Sequence, residues 1–187
     1  MRCSDNYEKY IYCLEGSWHK TPRSNQSVKP ILELLNTFHK VKYSYRRCLT
    51  KDEFINGLRT FTHKRYSKYT ILYVAYHGLK NGIYIGKEFI TLKEIANVLE
   101  GKLYSKIVHF GSCSTLRTAE ANILNFINRT DCSLISGYKK DVGYIDSSAF
   151  ELLYFEALQK YRSLGKMKVA VEEKYSKLIS ALRFVMS

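Results

Sequence analysis

Two strand ends carry the chemistry that this sequence offers. The run Tyr69-Thr70-Ile71-Leu72-Tyr73-Val74-Ala75-Tyr76 is nearly all apolar and β-rich, and it stops at His77-Gly78. The run Lys106-Ile107-Val108-His109-Phe110 stops in the same way at Gly111-Ser112-Cys113-Ser114-Thr115. A cysteine thiolate is a nucleophile, and an imidazole beside it can lower the thiol pKa or hand a proton to a leaving amine. Gly78 leaves space for a substrate backbone, and its N–H could face a developing oxyanion. Gly111-Ser112 permits a tight turn before Cys113. Thr115 and Thr118 can cap the following helix, whose N-terminal dipole would favour a thiolate. The alternative is an inert thiol beside a loop histidine.

The elements around these residues must bring them together. Lys9–Leu14 reads as a first strand. A helix follows, with Ile31, Leu34, Leu35 and Phe38 inward behind Ser27 as N-cap, and then a strand over Val41–Tyr45. Thr50-Lys51-Asp52-Glu53 is a capping box that opens a helix with Phe54, Leu58 and Phe61 inward. Asn81-Gly82 between short apolar runs signals a hairpin. A second box, Thr91-Leu92-Lys93-Glu94, starts a helix that stops at Gly101. Beyond Cys113 come a helix over Ala119–Asn128 with Ile123, Leu124 and Ile127 inward, a strand over Ser133–Gly137 and a polar loop from Tyr138 to Asp146. Ser148 with Glu151 forms a third box for a helix lined by Phe150, Leu153, Tyr154, Ala157, Leu158 and Tyr161. A last amphipathic helix carries Val171, Tyr175, Leu178, Ile179 and Leu182. Strands alternating with helices predict an α/β fold with a mostly parallel central sheet and helices on both faces. Ligands in such sheets bind beyond the carboxyl ends of the strands. His77 and Cys113 therefore belong to one edge.

Composition narrows the class. With 187 residues, 45% of them hydrophobic, the chain suits a single domain over 1–187. No run of 18 apolar residues occurs, so no transmembrane helix is expected, and the first residues lack the apolar run of a signal peptide. The expectation is a soluble cytoplasmic protein with no membrane partner. The net charge of +13 invites a nucleic-acid reading. Its distribution does not: +8 lies in residues 1–70, +2 in 71–137 and +3 in 138–187, with no run of five like charges. A lysine-rich solvated surface accounts for this better than a nucleic-acid partner. The cysteines at 3, 13, 48, 113 and 132 are odd in number. They form neither a disulfide framework nor a zinc motif, so most are expected to be buried and inert. His109, inside an apolar strand, reads as a core histidine. Cys132 reads as core, and His19, His39 and His63 as solvated.

The ordered pair of an apolar strand ending in His77-Gly78 and a later one ending in Cys113 resembles the caspase-like cysteine peptidases of clan CD, most closely the bacterial CHAT-like domains. The helix from Thr91 to Gly101 is similar to theirs. So is the segment Tyr138–Leu153, in which a polar loop and an Asp precede an Ala-Phe helix. The resemblance covers about residues 65–160. It implies a caspase-like three-layer sandwich and a cysteine endopeptidase acting on a protein substrate, with Cys113 as nucleophile and His77 as general acid and base. The backbone N–H groups of Gly78 and Cys113 would hold the oxyanion. No metal or other cofactor is implied for the chemistry, although relatives sometimes use Ca²⁺ for activation. Small bacterial domains of this kind are often defence or cell-death effectors, with a substrate or regulator encoded nearby.

The sequence departs from this group in ways that bear on specificity. Gly111 stands two residues before Cys113, where caspases have Gln and some Arg-specific relatives have Asp. By the resemblance, the S1 pocket is expected near Glu15 and Trp18 and along the loop carrying Asp141 and Asp146. Those carboxylates could pair a basic P1 side chain, although Lys139 and Lys140 could instead accept an acidic one. Asp146 could equally cap a helix, and Trp18 could be a surface aromatic. Two other functions stay open: a catalytically inactive caspase-like interaction module, and a basic nucleic-acid-binding α/β domain.

Overall fold

The computed structural model describes residues 9–18 and 26–187. Cys3 and His19 lie outside the described residues. A six-stranded sheet runs through the centre in the order β2-β1-β3-β7-β8-β9. The strands are β1 (Tyr10–Glu15), β2 (Tyr43–Arg47), β3 (Tyr69–Ala75), β7 (Ile107–Phe110), β8 (Leu134–Tyr138) and β9 (Phe184–Met186). The first five are mutually parallel, and β9 pairs antiparallel with β8.

The core lies on both faces of this sheet, because the inner strands are buried at consecutive positions rather than at alternate ones. In β3, Leu72 and Val74 point into one layer, with Phe54, Leu58, Phe61, Ile95 and Phe126. Ile71, Tyr73 and Ala75 point into the other, with Leu32, Leu35, Phe155, Leu158 and Val171. Helices α2 (Lys51–Phe61), α3 (Leu92–Val98) and α4 (Glu120–Thr130) cover the first face. Helices α1 (Lys29–His39), α5 (Tyr144–Lys160) and α6 (Leu164–Leu182) cover the second. The result is a three-layer α/β arrangement around a mostly parallel sheet. Among the described residues, no helix is long and apolar enough to cross a membrane.

Local signals explain where most elements begin. Thr50 accepts from the Glu53 N–H, while Glu53 accepts from the N–H of Thr50; Thr91 and Glu94 repeat the arrangement at α3. Each reciprocal cap satisfies N–H groups that the first turn leaves without helical partners. The Asn81-Gly82 hairpin forms as expected. It belongs to a small antiparallel sheet of β4 (His77–Leu79), β5 (Gly82–Ile85) and β6 (Glu88–Thr91), with Asn81 in the left-handed region.

Several expectations fail for identifiable reasons. The N-cap position of α1 falls to Val28, without a side-chain bond, rather than to Ser27; the Ser27 hydroxyl still accepts from the Lys29 N–H at 3.1 Å while it donates to Glu15. Leu34, Phe38 and Leu124 are exposed, at 41%, 69% and 50%, because only part of each helix face meets the sheet. The Ser148–Glu151 box is absent: α5 starts a full turn earlier, at Tyr144, which places both residues inside the helix. Strand β9 follows α6 after a left-handed turn at Arg183, and the helical periodicity of that region gives no sign of it.

Candidate active site

Strands β3 and β7 are adjacent and parallel, in register at Val74 and Phe110, so their carboxyl ends emerge side by side. The Gly111 N–H donates to the Val74 carbonyl at 2.9 Å. The Ser112 hydroxyl accepts from the Tyr76 N–H at 3.1 Å and donates back to the Val74 carbonyl at 3.3 Å. These bonds tie the segment before Cys113 to the segment before His77. Gly78 completes the contact: a Cβ placed there would lie 2.1 Å from the Cys113 carbonyl oxygen and 2.4 Å from Thr115 Oγ1. The glycine is required by close approach of backbone, since its φ is unremarkable.

His77 and Cys113 line one cavity of about 170 Å³, and Trp18 is part of its wall. His77 Nε2 lies 2.7 Å from the Trp18 carbonyl oxygen, which can only accept, so Nε2 carries the proton. Nδ1 is then the nitrogen with a lone pair to receive one. The Trp18 ring meets the His77 ring edge-on, with centroids 5.5 Å apart. Cys113 Sγ accepts from the Val142 N–H at 3.5 Å, a bond that a thiolate accepts better than a thiol.

The turn carrying Cys113 is clamped to the loop after β8. Ser114, at φ 54°, donates its N–H to the Lys140 carbonyl and its hydroxyl to Asp141 at 2.7 Å. A non-glycine residue in the left-handed region costs about 1 kcal/mol or more, and these bonds hold it there. Of the four described cysteines, only Cys113 escapes full burial. Burial pushes the thiols of Cys13, Cys48 and Cys132 up from their ordinary value, which keeps them protonated and unreactive.

The helix-dipole expectation for Cys113 is corrected. Helix α4 begins at Glu120, seven residues on, behind Ala119. Thr115 instead donates to the Gly82 carbonyl, and Thr118 donates to Asn81.

The residues expected to bind substrate separate into three places. Trp18 is in the cavity with the Cys and His. Glu15 is 1% exposed and lies behind it. Its Oε1 accepts from Trp18 Nε1 at 2.6 Å and the Val28 N–H at 2.7 Å, and its Oε2 accepts from Ser27 Oγ at 2.6 Å and Tyr45 OH at 2.5 Å. With four donors converging on it, Glu15 positions Trp18 and does not face a ligand. Asp141 and Asp146 line a separate cavity of about 420 Å³ against Leu178 and Leu182 of α6. The early start of α5 turns Asp146 to that side, and the segment around Val142 divides the two spaces.

One residue of the Cys113 cavity was not anticipated as functional. Glu151, 2% exposed, lines the cavity from α5. It accepts from Tyr73 OH on Oε2, and on Oε1 from Tyr138 OH at 3.2 Å and His109 Nε2 at 3.3 Å. Two signals in the sequence point to it. Glu151 shares a helical stripe with Phe155 and Leu158, where a carboxylate needs partners. His109, the expected core histidine, sits at the centre of an apolar strand and needs one too. His39 pairs with Glu156 at 3.6 Å, while His63 is exposed.

The tyrosines around these carboxylates should titrate late. Burial first, and the hydrogen bond to Glu15 second, push Tyr45 up to about 12. Burial and the Glu151 charge hold Tyr73 and Tyr138 well above the usual range. In the unfolded chain these phenols ionise near pH ~10. A folded-state pKa raised above that value contributes stability in full below pH ~10, and the contribution is lost as pH climbs through the folded value. Denaturant midpoints should therefore fall steeply between pH ~10 and ~12, and less steeply in Tyr45→Phe. Midpoints flat across that window would contradict the assignment.

The match of one family model, described as a family of unknown function, extends over residues 8–187. The chain belongs to that family, DUF6642. No curated protein matches the chain significantly. Membership places no ligand in the cavity, so the chemistry of this DUF6642 chain rests on its own residues. Among those described, no group of three or more His, Cys, Asp or Glu could hold a metal ion.

Proposed function

We propose that this protein is a caspase-like cysteine endopeptidase whose nucleophile is Cys113 and whose general acid and base is His77. The observation that carries the reading is that the two side chains, from adjacent parallel strand ends, line the same cavity. Three details support it. The Trp18 carbonyl orients the imidazole, the Val142 N–H reaches the sulfur, and Gly78 brings its backbone against that of Cys113.

In this mechanism the thiol passes its proton to His77 Nδ1, and Sγ attacks the substrate carbonyl carbon. The oxyanion is held by the backbone N–H groups of Gly78 and Cys113. The tetrahedral species collapses to a thioester as the peptide C–N bond breaks, and His77 returns the proton to the leaving amine. His77 then takes a proton from water, whose oxygen attacks the thioester and frees Cys113. The caspase-like assignment of the three-layer fold belongs to the same proposal, as does a cytoplasmic role in cell defence. That role would place a protein substrate, or a regulator, among the products of neighbouring genes.

The test is cleavage of a peptide library under two treatments. Alkylation of Cys113 by iodoacetamide should abolish cleavage, and strong zinc chelation should leave it intact. Loss on chelation with rescue by zinc would overturn the mechanism. Loss rescued only by Ca²⁺ would point to activation. A Cys113 that labels readily in a protein cleaving no peptide would favour an inactive interaction module.

A further inference from the structure

The Cys113 cavity contains an ionisable group that the proposed mechanism does not use. Glu151 is nearly fully buried, and among the described residues that line the cavity it is the one acidic side chain, with no lysine or arginine beside it. Tyr154 OH donates to Ser136 Oγ, which lies 3.0 Å from His109 Nδ1, and His109 Nε2 lies 3.3 Å from Glu151 Oε1. Tyr73 and Tyr138 also donate. Tyr73 and Tyr138 are uncharged donors, and among these partners only His109 can carry a charge opposite to the carboxylate's. Three of about four acceptor positions are filled. A cation that enters beside a buried acidic side chain is attracted to it more strongly than in water.

Glu151 borders the cavity beside Gly111. A Cβ on Gly111 would lie 2.8 Å from Glu151 Oε1 and 2.6 Å from the Tyr73 ring. Glycine at that position, two residues before the nucleophile, leaves room for the carboxylate where a larger residue would displace it. The rings of Trp18 and Tyr144, 6.2 Å apart between centroids, form the wall, and aromatic faces attract cations.

We infer that Glu151 is the specificity-determining residue of this cavity and selects a cationic side chain, lysine or arginine, on the residue whose carbonyl Cys113 attacks. The inference rests on the peptidase reading of the site. It moves the basic-side-chain preference from the loop carboxylates Asp141 and Asp146, which line another space, to a helix residue. An acidic side chain entering here would meet another acidic group in a confined space. An apolar one would strip the remaining hydration from that carboxylate without replacing it.

Three peptide chloromethyl ketones that differ only in a terminal Arg, Leu or Asp test this. In each, the Cys113 thiolate displaces chloride to form a thioether, and the labelling rate of Cys113 is read by mass spectrometry. The Arg reagent should label about tenfold or more faster than the Leu and Asp reagents. In Glu151→Gln the advantage should shrink to about threefold or less, each rate being divided by that variant's own iodoacetamide rate. The wild-type ratio stands as a test even where the variant fails to fold. A Leu or Asp reagent that matches or exceeds Arg overturns the inference but leaves the peptidase reading intact, as does an Arg advantage that persists in Glu151→Gln. If no peptide reagent outpaces iodoacetamide, the peptidase reading falls and the inference falls with it.

Discussion

Replacing Cys113 with alanine should reduce peptide turnover by at least about 10³-fold, equivalent to about 4 kcal/mol of lost transition-state stabilisation. Circular dichroism and thermal midpoint should stay close to wild type. The side chain is partly exposed, and its bond to Val142 is a weak one at 3.5 Å through sulfur. The clamps that hold the turn run through Ser114 to Lys140 and Asp141 and survive the change. Residual activity near wild type would place the nucleophile elsewhere. The three other described cysteines are poor substitutes, since each is buried and its thiol is pushed toward the protonated form.

A second large effect is expected at Gly78→Ala, which touches no reacting atom. The new methyl group would sit 2.1 Å from the Cys113 carbonyl oxygen and 2.9 Å from the Ser112 Cβ, against an ordinary contact of 3.4 Å or more. Relief demands a shift of more than 1 Å, and it must come from backbone on one side or the other. Overpacking of this kind costs about 1–3 kcal/mol of stability. A displacement of that size between nucleophile and base costs about 10²-fold in rate. Denaturant unfolding and peptide turnover, measured together, check both numbers. An alanine variant with wild-type stability and turnover would show that the His77 and Cys113 segments are not held together by this contact.

The strand ends were legible because the relevant signals are short-range. Tyr69–Tyr76 and Lys106–Phe110 are largely apolar without alternation, which only a strand covered on both faces needs, and each run ends at glycine within two residues. The capping boxes at Thr50 and Thr91 are equally local, and both form. The pattern Ser148–Glu151 has the same spelling and fails. Glu151 is drawn into the core by Tyr73 on β3, His109 on β7 and Tyr138 on β8, partners 78, 42 and 13 residues away. No spacing rule over four residues carries that information. Glu15 is beyond a local reading for the same reason, since its donors come from Trp18, Ser27, Val28 and Tyr45, on two segments beyond its own strand. Strand β9 has three residues, and its place is set by pairing with β8 at the sheet edge rather than by its own composition.

The central claim is that Cys113 forms the covalent bond to substrate. It is tested most directly by acid-quenching the protein during turnover of a cleavable peptide and mapping the acyl fragment by mass spectrometry. The account predicts a thioester on Cys113 that builds up in the wild type, that is absent from Cys113→Ala, and that forms far more slowly in His77→Ala. An acyl group on any other residue, or steady turnover with Cys113 never acylated, would contradict it.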